Sequence, residues 1–94
     1  MSQNFEDALA EIKAFITAGG GASYWFSKAY ASWYWGTEYW MVSLSGYESL
    51  DGNNKGLFLK MLGLRKYPGW TDSALHELAM FAVEKWNLLP REAR

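Results

Sequence analysis

Ten of the chain's seventeen aromatic residues fall between Ala22 and Tyr47. Whatever fold the chain takes must find neighbours for that many rings within one short stretch, since each buried ring removes roughly 150–250 Å² from water. There is no cysteine, so neither disulfides nor a thiolate metal site shares the task, and packing has to hold the fold alone.

The arrangement of this stretch turns on Gly36-Thr37. A Gly-X pair suits a two-residue type II′ turn, because glycine takes the positive φ of the first position without steric cost. Closing a hairpin there, over 24–46, pairs Trp35 with Glu38, Tyr34 with Tyr39 and Trp33 with Trp40. The pleat's period of two then sorts the side chains. Ala29, Ala31, Trp33, Trp35, Trp40, Val42 and Leu44 share a core face, and Lys28, Tyr30, Ser32, Tyr34, Tyr39, Met41 and Ser43 share an amphipathic one. A second reading exists: Ala22, Phe26, Ala29, Tyr30 and Trp33 also fit a helical stripe over 22–35. The separation of indoles from phenols favours the hairpin.

Helices flank it. Phe5, Leu9, Ile12 and Ile16 recur at helical spacing and predict a helix over 1–18, capped by Asn4 and ended by the glycines from Gly19. Leu75, Leu78, Ala79, Ala82, Trp86 and Leu89 predict another over 71–89, capped by Thr71 or Asp72 and stopped by Pro90. Between them, 55–66 carries Leu57, Phe58, Met61 and Leu64, read as a short helix started by Asn53 or Asn54, although the alternation Leu57, Leu59, Met61 allows a strand. With 94 residues, half of them apolar and a fifth charged, the expectation is one domain. Its expected class is α+β, two helices and a short third element against an aromatic hairpin, with all-α as the alternative.

The residues on offer for chemistry are few. His76 is the sole histidine, and His76-Glu77 departs from the zinc-protease helix motif because Met80 stands where the second ligand belongs. Asp51-Gly52-Asn53-Asn54 begins like a calcium loop, but Lys55 and Leu62 occupy positions that need oxygen donors. Gly19-Gly20-Gly21 lacks the lysine or fingerprint of a phosphate-binding loop. No cofactor and no enzymatic activity are expected. The opening residues lack the basic and apolar regions of a signal peptide, and the longest uncharged run is too short for a membrane span, so the expected setting is the cytoplasm, with no membrane partner.

Net charge is −1, which disfavours nucleic acid as the main ligand. Locally the balance differs, because Lys55, Lys60, Arg65 and Lys66 lie between Asp51 and Asp72 with no acid among them. The expected binding residues are therefore Lys28, Tyr30, Tyr34, Tyr39 and Met41 on the phenolic face, joined by Arg65, Lys66, Tyr67 and Trp70. Tyrosine suits this role: it buries a large rigid area at little side-chain entropy and keeps a hydroxyl for hydrogen bonding. The function expected of such a chain is protein interaction. A stoichiometric inhibitor or adaptor, of the type of phage-encoded inhibitors of bacterial defence, fits by analogy of size and composition and not by motif. Homodimerisation through exposed rings is an alternative, as are a nucleotide or sugar binder using stacked Trp and Tyr, and a single-strand nucleic-acid module.

Overall fold

Asn4 begins the first helix by accepting the Asp7 N–H on its side-chain oxygen at 2.8 Å, and α1 then runs from Phe5 to Ala18. The computed structural model describes residues 4–36 and 41–88. After α1 come α2 (Gly21–Trp35), a single turn α3 (Ser45–Glu48), α4 (Gly52–Leu62), a 3-10 turn at Leu64–Lys66, and α5 (Asp72–Trp86). Among the described residues there is no strand. The α+β expectation is therefore overturned, and the fold is helical. Where the hairpin over 24–46 was expected, the described residues form α2 and α3; Thr37, Glu38 and Trp40 of its turn and pairs lie outside the described residues.

The reason lies in the small residues of α2. Ser23, Ser27 and Ala31 recur every four positions and are fully buried, as are Phe26 and Tyr30 beside them. In a helix this gives one narrow ridge and one aromatic ridge side by side. The narrow ridge lets the backbone of α2 approach its neighbours. The Ser23 hydroxyl donates to the Phe15 carbonyl of α1 at 2.7 Å, and that of Ser27 donates to the Ser23 carbonyl one turn back at 2.7 Å. Ala31 meets Val83 of α5. A strand would carry these hydroxyls on the same face as a buried ring without such partners. Gly36 does take a positive φ, but with φ 65 and ψ 30 it is a left-handed helix cap, its N–H donating to the Ser32 carbonyl at 2.7 Å. The sign of φ suits turn and cap alike; ψ separates them.

α5 is the other half of the core. The Thr71 hydroxyl caps it through the Ala74 N–H at 3.2 Å, and Asn87 in the left-handed region ends it before residue 89. Leu89 and Pro90 lie outside the described residues. Two hydrogen bonds tie α5 across the fold: the buried Tyr30 hydroxyl donates to the Leu75 carbonyl at 2.7 Å, and the Trp86 indole donates to the Ile16 carbonyl at 3.2 Å. Ile12, Ile16, Phe26, Tyr30, Met61, Leu64 and Leu75 fill the space between α1, α2, α4 and α5.

The third element is a helix, and the strand alternative fails there. Its cap is Asp51, which accepts the Asn54 N–H at 2.8 Å, so α4 starts ahead of Asn53. Phe58 of α4 meets Trp25, Phe26 and Tyr47 at ring-centre distances of 5.4, 6.2 and 5.3 Å. This cluster secures α3 and α4 to α2. No helix among the described residues is long and apolar enough to cross a membrane.

Candidate functional site

Gly63 ends α4, and the 3-10 turn that follows buries Leu64. Burying Leu64 in a three-residue turn sends Arg65 and Lys66 outward, where both are exposed. The chain then reverses at Pro68-Gly69: Gly69 has φ 82, and the Trp70 N–H donates to the Tyr67 carbonyl at 3.3 Å, the features of a type II turn. Thr71 caps α5, so the whole connection from α4 to α5 is one turn after another, with little slack.

Both ends of this connection are fastened to the last turns of α2. At one end the Arg65 guanidinium lies over the Trp33 ring, 4.5 Å from its centre, and 5.7 Å from that of Tyr34. At the other, the Tyr34 hydroxyl donates to Asp72, with both carboxylate oxygens at 3.0 Å. Desolvation raises the Tyr34 pKa from its ordinary value, and the hydrogen bond and charge of Asp72 add to this, while Arg65 opposes it. His76 completes the group, its ring 6.0 Å from Tyr34 and 6.1 Å from Trp35. Beneath lies Tyr30, parallel to Tyr34 at 6.4 Å.

No family model, no curated protein and no solved structure matches this chain. The reading of the site rests on its residues.

The sequence-derived set divides sharply. Tyr34 and Arg65 are in contact, and Lys66, Tyr67 and Trp70 follow Arg65 in the same connection. Trp70 is exposed and Tyr67 packs against the core. Tyr30 is not a surface residue: it is fully buried, and it supports the site from below. Lys28, placed beside Tyr30 by the hairpin, stands nearly opposite it on α2, because two residues turn a helix by about 200°. Met41 is exposed ahead of α3. Tyr39 lies outside the described residues. Trp33, Asp72 and His76 belong to the site and were outside the sequence-derived set: Trp33 was placed on the core face, Asp72 at a cap, and His76 in a zinc motif that it does not complete. Helical spacing on α2, which puts residues 30, 33 and 34 on one side, was the signal that pointed to Trp33.

Grooves elsewhere carry different chemistry. One of about 710 Å³ runs between α1 and α4, lined by Glu11, Phe15, Gly52, Asn53, Gly56 and Lys60 among others. Phe15 is its sole aromatic among the described residues, and an ion pair between Lys60 and Glu11 sits along it. Among the described residues no three of His, Asp and Glu gather to hold a metal ion.

Proposed function

We propose that this chain is a non-enzymatic, cytoplasmic protein-interaction module, an inhibitor or adaptor that docks through the α4–α5 connection and the end of α2. One observation carries the reading. The connection is held at both ends, by Arg65 on Trp33 and by Asp72 on Tyr34, so Arg65 itself and the Lys66 and Trp70 that follow it are presented on a frame whose ordering cost is already met in folding. Preorganised aromatic and arginine side chains are what dominate binding energy at protein interfaces. The composition agrees with this, having one histidine and no cysteine from which to build a nucleophilic centre.

Affinity capture from an extract of the source cells tests it. The wild-type chain should retain a defined protein that Trp70→Ala and Arg65→Ala lose, while both variants melt within a few degrees of wild type. Identical capture by all three chains would overturn the proposal.

A further inference from the structure

Arg65 is exposed, yet its position is fixed by the rings it covers. The Trp33 ring beneath the guanidinium offers π density and no oxygen acceptor, so the planar fork of N–H groups is left for a carboxylate, which it can receive through two parallel bonds. Among the described residues those N–H groups have no hydrogen-bond partner. Among the described residues the ion pair is Lys60 with Glu11, and neither Arg65 nor Lys66 has a carboxylate partner. Asp72 accepts the Tyr34 hydroxyl. No acid occurs from Gly52 to Thr71 to neutralise the two cations.

We propose that the partner enters this surface through an acidic peptide segment, one side-chain carboxylate of which is gripped by Arg65 on Trp33, with Lys66 beside it. This rests on the docking reading above and names the chemistry of its partner. A short acidic segment suits the surface better than a nucleic acid. The two cations are neighbours in one turn and do not form a track along which successive phosphates could lie.

Tetraglutamate is the probe, followed by nuclear magnetic resonance on the nitrogen-labelled full chain. The Arg65 side-chain N–H and the Trp33 indole N–H should shift together and saturably, with a dissociation constant on the order of 1 mM, since a single charge-assisted pair supplies only a few kcal/mol. Arg65→Gln should weaken binding about tenfold, and Arg65→Lys should recover only part of it, since an ammonium lacks the planar fork. Raising salt to about 0.5 M should weaken binding by wild type more than by Arg65→Gln. The dispersion of the variants' spectra verifies that they are folded. If tetraglutamate leaves both resonances unmoved, or if Arg65→Gln binds it as wild type does, the acidic-peptide proposal fails. Tighter binding of oligothymidylate at the same resonances overturns it too. Failure here, with capture still lost in Arg65→Ala, leaves docking intact and removes only the acidic partner. Tetraglutamate binding with capture unchanged does the reverse.

Discussion

Tyr30→Phe removes one hydroxyl, the donor to the Leu75 carbonyl, and keeps the ring. Its expected cost is about 1 kcal/mol, the net worth of one neutral hydrogen bond. Tyr30→Ala also empties a fully buried space and should cost about 3–5 kcal/mol. Urea unfolding measures both, and equal losses would mean that the ring contributes nothing beyond its hydroxyl. Tyr34→Ala should cost less than Tyr30→Ala, since Tyr34 is only half-buried and its bond to Asp72 is open to water. This difference between two tyrosines four residues apart was not legible in the sequence. A phenol is amphipathic, and nothing in its identity tells whether its hydroxyl meets water, Asp72 or the Leu75 carbonyl. Arg65 and Tyr34 were legible as residues suited to binding; their contact was not, because it joins positions that meet only when α2 lies against the α4–α5 connection.

The elements differ in how clearly they declare themselves. α1 and α5 were readable because apolar stripe and side-chain cap agree in each, although α5 ends at Asn87, ahead of the expected stop at Pro90. α2 was not, because its rings satisfy a period of two as well as one of 3.6, and the deciding contacts are tertiary: the buried ridge of Ser23, Ser27 and Ala31 against α1 and α5. Glycines test the elements directly. Gly36 caps α2 at φ 65, so Gly36→Ala should cost about 1–2 kcal/mol, the strain of a left-handed residue bearing a Cβ, and Gly36→Asn less. A Cβ on Gly46 of α3 would overlap the Trp25 indole, which donates to the Ser43 carbonyl at 2.9 Å. A rigid ring has nowhere to yield without giving up that bond. Gly46→Ala should therefore lower stability by about 1–3 kcal/mol and change the tryptophan emission; an unaltered melting temperature would show that Trp25 does not rest on α3.

For the molecule as a whole, two phenols tied into the core and the site set an upper pH limit. Burial raises the Tyr30 pKa well above the ordinary 10.0, and the nearby Tyr34 and Asp72 raise it further against the opposing charge of Arg65. Tyr34 is raised in the same direction. Well below pH 10.0 both phenols are neutral in the folded and unfolded chain alike, and their contribution to stability is intact. As pH climbs past that value the unfolded chain releases its phenolic protons while the folded chain keeps them. The unfolded state then binds fewer protons, and stability must fall with rising pH. Urea midpoints at about pH 8 and about pH 11 should therefore drop markedly in wild type and less steeply in Tyr30→Phe, each compared with its own value at the lower pH. Tyr30→Phe thus starts weaker at neutral pH and loses less in alkali. A drop as steep in Tyr30→Phe as in wild type would mean that the Tyr30 phenol is free to ionise in the folded chain, and with it that α2 does not seal its ring against α5.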